Sequence, residues 1–178
     1  AVDGNPLPVV GRPVLEELSA QLRDTVHLAV RDGDSVLYLD KLSGSRGAEM
    51  RSRIGHRMPL TRTGIGMALL LDAEQEWSAL YRAETPVAPS GVRQGDVNTF
   101  LGGMREYARE VVTMDLENNE PGIRCVAAPV RDGGGAIVGA ISVSATRPYM
   151  PTTRMRGLAS VVGRAARRIS AGMGYREP

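Results

Sequence analysis

The chain has 178 residues, a length that suits one domain with a sizeable hydrophobic core. Hydrophobic residues make up 42% and charged residues 24% of the sequence, which is typical of globular proteins and unlike disordered, collagen-like or membrane chains. The net charge of +2 and the few aromatic residues argue against a DNA-binding face and against a single-stranded RNA-binding module.

The first predicted elements are a helix and a β-hairpin. The helix begins at Arg12, and its apolar residues recur at spacings of three, four and seven, which places them on one face: Val14, Leu15, Leu18 and Leu22. Two apolar runs at 26–30 and 36–39 then flank the turn residues 32–34, which predicts the hairpin. Residues 43–57 form a predicted loop with an extended piece near Met50.

Three helical segments are predicted next. Pro59 keeps the preceding residue out of helical geometry, and Thr63 is a predicted N-cap before a slender turn and an apolar run. Asp72 is the predicted cap of a second helix that runs to Arg82. Asp96 is the predicted cap of the third helix, whose end is also compatible with a strand. The apolar residues of this helix recur at helical spacing: Val97, Phe100, Leu101, Met104, Ala108 and Val111.

The C-terminal half predicts a second hairpin and a closing helix. After an acidic loop at 115–121, apolar runs at 123–130 and 136–145 are joined by Asp-Gly-Gly-Gly. The closing helix has one apolar face, made of Met155, Leu158, Val162, Ala165, Ala166, Ile169 and Met173. Helices and hairpins in this order predict a mixed α/β (α+β) domain whose sheet is largely antiparallel.

Few residues are candidates for chemistry. His27 and His56 have no partner at metal-ligand spacing, and we expect neither a metal nor a cofactor. Cys125 is the only cysteine, which excludes an intrachain disulfide and fits a reducing compartment. It lies in an apolar strand pattern, where a buried thiol is expected rather than a nucleophile. With no export signal and no apolar run long enough to span a bilayer, we expect a cytoplasmic protein without membrane contact.

One segment indicates a binding site. Gly64-Ile65-Gly66 follows the predicted N-cap, and a helix start with so little side-chain cover can present free backbone N–H groups to an anion. Close packing of this helix against the sheet is the alternative explanation. The acidic residues Asp115, Glu117 and Glu120 are explained equally well by a solvated turn.

Four stretches resemble the effector-binding domain of the IclR family of bacterial transcriptional regulators. They are TVHLAVRDGDSVLYLDKLSG at 25–44, RSRIGHRMPLTRTGIGMALL at 51–70, DLENNEPGIRCVAAPVRDGGGAIVGAISVSA at 115–145, and the closing helix. The resemblance implies a GAF-like fold with a curved sheet and a small-molecule pocket. It implies DNA binding through an N-terminal winged helix-turn-helix that this sequence lacks, and assembly as a homodimer or homotetramer.

The resemblance also implies domain limits and binding residues. Residues 1–11 are expected to be a linker remnant, 12–173 the effector-binding domain and 174–178 a tail. The family binds its effectors at positions that correspond here to Gly64, Ile65, Asp115, Cys125, Ser142 and Ser144, with an apolar wall of Met50, Met58 and Ile123. The expected effector is a small organic or aromatic carboxylic acid, which changes operator binding allosterically.

The sequence departs from the family pattern near the start of the second helix. Arg62 and Met67 stand where His and Lys are common, and Ile65 replaces a smaller residue. Ile65 is expected to narrow the pocket and Arg62 to add a cation. Two other functions stay open: an oligomerisation module whose pocket is filled, and a thiol-dependent GAF-like enzyme, for which no resolving cysteine is present.

Overall fold

The computed structural model describes residues 4–46, 52–87, 89–91 and 95–178. Within these ranges one curled antiparallel sheet has the strand order β3-β2-β1-β6-β5-β4. The strands are β1 (Thr25–Asp32), β2 (Ser35–Leu42), β3 (Arg57–Pro59), β4 (Thr113–Leu116), β5 (Ile123–Arg131) and β6 (Ile137–Thr146). The helices are α1 (Leu7–Leu22), α2 (Gly64–Leu69), α3 (Glu74–Glu84), α4 (Val97–Glu110) and α5 (Thr152–Gly172), with a 3-10 turn at Arg147–Tyr149.

Both predicted hairpins are confirmed. β1 and β2 are joined through Gly33, whose φ of 59° lies in the left-handed region that glycine adopts without strain. β5 and β6 are joined by a turn that the Asp132 carboxylate stabilises, since its Oδ1 accepts from the amides of Gly134 and Ala136 at 3.0 and 3.1 Å. The pair β1–β6 brings the two hairpins together at the centre of the sheet.

Strand alternation divides the domain into two cores. Ile141 and Val143 of β6 point into a core that α1 and α5 cover, together with Leu15, Met155 and Ile169. The other face carries a second core with Trp77 and Met104 from α3 and α4, and with α2. Ser142 and Ser144 lie on this second face because they alternate with the apolar residues of β6. Burial of large apolar side chains stabilises each core by about 1.5 to 3 kcal/mol per residue.

Two of the predicted helix caps are confirmed and one is wrong. Thr63 and Asp96 accept from the amides of Gly66 and Asn98, as N-cap side chains do. Asp72 does not cap α3, which begins at Glu74. Its carboxylate instead accepts two hydrogen bonds from Arg131 of β5, because a bidentate ion pair is available there.

Two element boundaries differ from the prediction. α1 begins at Leu7 rather than Arg12, since Leu7 is fully buried and Pro8 lies in the first turn, where a helix does not need its N–H. The third helical segment ends at Glu110, and a short edge strand, β4, follows it. Asp115 therefore lies in a strand and not in the acidic loop where the sequence placed it.

Candidate ligand-binding site

A cavity of about 420 Å³ lies between α2 and the face of the sheet that carries the two serines. A volume of this order is typical of small-molecule sites. The structure brings seven of the nine predicted residues to its wall: Met58, Ile65, Asp115, Ile123, Cys125, Ser142 and Ser144. Gly64 is buried next to it, and Met50 lies outside the described residues.

The polar wall of the cavity is a row of side chains across three strands. Asp115 of β4 pairs with Cys125 of β5, which pairs with Ser144 of β6. The Cys125 Sγ and Ser144 Oγ are 2.9 Å apart and share a hydrogen bond. Ser142 lies two residues before Ser144 on the same face, opposite His27 of β1. The row thus places hydroxyl and thiol donors on one side of the cavity.

Hydrogen bonds at the start of α2 fix this helix next to the row. Thr113 Oγ1 of β4 donates to the carbonyl of Gly64 at 2.6 Å, and the Thr63 hydroxyl donates to the carbonyl of Pro59. A Cβ at Gly64 would lie 3.4 Å from the Cβ of Cys125, so the glycine allows the helix start to approach β5. The N–H groups of Gly64 and Ile65 lie in the first turn, where a helix supplies no backbone acceptors.

Ile65 does not fill the cavity that it was predicted to narrow. Ile65 is 2% exposed and lies on the wall with Met58, yet about 420 Å³ remains unfilled. Arg62 does not line this cavity; it faces the other side of α2. Its positive charge nevertheless lowers the pKa of Asp115.

Asp115 is one of two carboxylates on the cavity wall, with Glu120, and is 3% exposed. Burial raises its pKa to about 6, because the charged form loses solvation. The charge of Glu117 raises the pKa further, whereas a hydrogen bond from the amide of Asn118, at 2.7 Å, and the charge of Arg62 lower it. Asp115 consequently titrates close to neutral pH.

Burial also raises the pKa of the Cys125 thiol, to about 12, with the charge of Asp115 as a further cause. The Ser144 hydroxyl lowers the pKa through its hydrogen bond, by less than burial raises it. At neutral pH the group is a thiol rather than a thiolate, and the thiolate is the nucleophilic form. Cys125 is therefore suited to weak hydrogen bonding and not to catalysis.

Sequence reasoning missed a second group of wall residues, which includes His27, Tyr38 and Ser52. His27 is 4% exposed, and burial together with the charge of Lys41 lowers its pKa to about 3, so its ring is neutral. The ring packs on Tyr38 with 4.7 Å between centroids, and its Nε2 shares a short hydrogen bond with Ser52. Only the pairing of β1 with β6 places His27 beside Ser142, and the sequence gives no sign of that register.

Two features are absent from the described residues. No group of three or more His, Cys, Asp or Glu side chains in the described ranges is arranged to hold a metal ion. None of the helices in that part of the chain is long and apolar enough to cross a membrane.

The sequence matches the family model described as the C-terminal domain of the bacterial transcriptional regulator IclR, over residues 1–171. The chain belongs to the IclR family. KdgR of Escherichia coli K12 is 32% identical over 164 residues, which are 92% of this chain and 62% of KdgR. The repressor AllR of the same organism is 29% identical over 175 residues, which are 94% of this chain and 62% of AllR.

Solved structures show the same fold. The C-terminal domain of E. coli KdgR matches this IclR domain with a TM-score of 0.77 and 27% identity, over 96% of this chain and 100% of that one. The IclR protein of Thermotoga maritima matches with a TM-score of 0.84 and 24% identity, over 98% of this chain and 71% of that one. The GAF-like fold predicted from the sequence is confirmed.

The relatives KdgR and AllR are named as regulators of transcription. The chain spans between about half and two-thirds of the length of the curated relatives it matches. It matches the C-terminal portion of the family's proteins.

Proposed function

We propose that this domain is the sensor of a transcriptional regulator and that its cavity binds a small organic acid. The observation that carries the proposal is the cavity of about 420 Å³, whose wall carries the hydrogen-bonding groups of Ser142, Ser144 and Cys125. The wall also includes apolar side chains, among them Ile65, Met58 and Ile123. A few polar groups in an otherwise apolar cavity are typical of small-molecule sites.

A carboxylate suits the donors of this wall. It can accept from the hydroxyls of Ser142 and Ser144 and from the first-turn amides of Gly64 and Ile65. Hydrogen bonds to a charged acceptor contribute about 1.5 to 3 kcal/mol each. Met58 is flexible and polarisable, so it can adapt to a branched or aromatic body of the ligand.

Asp115 determines which acids bind. A charged Asp115 close to a ligand carboxylate would repel it, so we place Asp115 next to a hydroxyl or amino group of the ligand, which can donate to it. Hydroxy or amino acids should therefore bind better than their deoxy or deamino analogues. If Asp115→Ala weakened the binding of hydroxy or amino acids and of their deoxy or deamino analogues equally, this assignment would be contradicted.

The regulatory part of the proposal concerns the whole protein. We propose that a DNA-binding domain N-terminal to this chain recognises an operator in the cytoplasm, and that homodimers or homotetramers form partly through this domain. Ligand binding changes DNA affinity only if the ligand favours one of two conformations. Couplings of this kind are about 1 to 3 kcal/mol.

A thermal-shift screen of hydroxy, keto and aromatic acids tests the proposal. A ligand at 100 times its Kd stabilises the folded state by about 2.7 kcal/mol, which gives a measurable increase in Tm. We expect at least one acid to raise the Tm of the wild-type protein and to lose this effect in Ser142→Ala. Ser160→Ala, at an exposed position on α5, is the matched control and should keep the effect. No response to any acid, or equal responses in both variants, would contradict the proposal.

A further inference from the structure

A second cavity, of about 580 Å³, lies on the other side of α2, where α2 faces α3 and α4. Met67 of α2 lines this second cavity, whereas Ile65 of the same helix lines the first. The two spaces are therefore separated by one short helix. The lining residues of the second cavity are different from those of the proposed effector site.

The walls of the second cavity collect aromatic side chains in a chain that has few of them. Tyr81, Phe100 and Tyr107 are three of its seven aromatic residues, and all three are half-buried. Tyr81 and Phe100 stack with 4.4 Å between ring centroids, and the Tyr107 hydroxyl donates to the carbonyl of Met114. Aromatic rings around an unfilled space favour a flat, apolar ligand body.

The wall of the second cavity also carries the positively charged Arg62, which is hydrogen-bonded to a neutral group. Arg62 donates to the backbone carbonyl of Asn118 at 3.1 and 3.3 Å, and no described carboxylate lies within salt-bridge distance of it. Asp96, the acid on this wall, is already engaged at the start of α4, where its oxygens accept from Asn98 and Thr99. Arg62 thus keeps N–H donors for a planar anion, which guanidinium groups bind bidentately.

We propose that the second cavity binds a small aromatic carboxylate, whose ring packs on Phe100 and Tyr107 and whose acid group is bound by Arg62. The site is distinct from the proposed effector cavity, and its existence does not depend on that cavity being occupied. Asn118 connects the two, since its carbonyl accepts from Arg62 while its amide donates to Asp115 of the first cavity.

Two neighbouring glycines of α4 give a matched pair of variants. A Cβ at Gly102 or at Gly103 would meet no atom within 4 Å, so a side chain fits at either position. Gly103 lines the second cavity, whereas Gly102 is exposed to solvent. Both substitutions raise helix propensity by a similar amount, so differences between Gly103→Met and Gly102→Met report on the cavity.

The test is a titration of the protein with benzoate, followed through the backbone amide signals in NMR spectra. We expect saturable shifts of the signals of α4 around Phe100 and Tyr107. Gly103→Met should weaken this binding at least tenfold, whereas Gly102→Met should stay within twofold of the wild type. Arg62→Gln should weaken benzoate binding at least tenfold and leave the weaker binding of uncharged benzamide within twofold.

The spectra separate this site from the proposed effector cavity. Shifts confined to β6, around Ser142 and Ser144, would support the first cavity and overturn the second. Equal benzoate affinity in Gly103→Met and Gly102→Met would also overturn the second site, as would the absence of any shift in α4. Shifts in α4 without shifts in β6 would support the second site while leaving the effector proposal without support from benzoate.

Discussion

Cys125 and Ser144 lie directly opposite each other on β5 and β6, with 2.9 Å between Sγ and Oγ. Asp115 lies opposite Cys125 on its other side, so three polar side chains form one row on the cavity wall. Loss of solvation raises the pKa of both the Asp115 carboxyl and the Cys125 thiol, and the charge of Asp115 raises the pKa of the thiol further. The reactivity of Cys125 and the titration of Asp115 both depend on this row.

The Cys125 thiol should react slowly in the folded protein. Because burial raises its pKa to about 12, the thiolate fraction at pH 8 is far below that of a free cysteine, whose pKa is about 8.5. We expect disulfide exchange with Ellman's reagent at pH 8 to be at least 100-fold slower in native protein than in guanidinium chloride. Equal rates in the two conditions would contradict the described environment of Cys125.

Asp115 should make stability depend on pH between its unfolded and folded pKa values. The folded pKa, about 6, lies above the unfolded value of about 3.9, so the folded state binds more protons in this window. Stability conferred by the protonated form is present at pH 4 and is lost as the pH rises to 6. Asp115→Asn does not titrate and so lacks this loss. The free energy of unfolding of the variant should therefore increase by about 2 kcal/mol relative to that of the wild type between pH 4 and pH 7.

Urea denaturation of both proteins at several pH values measures this difference. The amide keeps an oxygen that can accept from the Asn118 amide, so the variant removes the titration while retaining the hydrogen bond. A difference between variant and wild type that stays constant across the range would show that Asp115 is not the titrating group.

Gly66 should tolerate no side chain. A Cβ there would lie 2.3 Å from the carbonyl oxygen of Leu60 and 2.6 Å from the Thr63 hydroxyl, so the helix start would have to move. We expect Gly66→Ala to destabilise the protein by about 2 kcal/mol or more. Gly102→Ala, at an open position of α4, should instead stabilise it by about 0.5 to 1 kcal/mol. Thermal denaturation of both variants gives the comparison, and a neutral Gly66→Ala would contradict the described packing.

Asp24 and Arg154 form an ion pair that ties the loop after α1 to the start of α5. The Asp24 side chain is fully buried and accepts two hydrogen bonds from Arg154, which also donates to the carbonyl of Tyr149. Removing one partner of a buried pair leaves the other charge uncompensated, so Asp24→Ala should cost about 3 kcal/mol.

An exposed ion pair between α1 and α5 serves as the control. The Glu17 Oε2 of α1 and the Arg168 Nη1 of α5 are 2.6 Å apart, and both side chains are more than half exposed. Glu17→Ala should cost less than about 1 kcal/mol because solvent screens the pair. Similar losses for the two alanine variants in chemical denaturation would contradict the assigned difference in burial.

The fold was largely predictable because most of its signals are local. The glycine turns of both hairpins and the capping side chains of Thr63 and Asp96 act within a few residues, so the sequence reveals them directly. Asp72 was wrongly predicted as a cap because its actual partner, Arg131, is distant in sequence. The strand β4 was predicted only as an alternative, since its four residues follow a helix without a clear change of pattern.

The site was predictable only in part. Ser142 and Ser144 share a face because of the period of two in a strand, and the family resemblance supplied the other positions. His27 could not be connected with Ser142, since the register of β1 against β6 joins residues more than a hundred positions apart. The position of Arg62 on the far side of α2 depends on how the helix is oriented, which periodicity over six residues does not determine.

The most direct measurement is a crystal structure of the protein with the acid that raises its Tm most in the screen. We predict electron density for the ligand inside the first cavity, with its carboxylate within hydrogen-bond distance of the Ser142 or Ser144 hydroxyl. A ligand bound elsewhere on the protein, with that cavity filled only by solvent, would contradict the proposal that these serines recognise the effector.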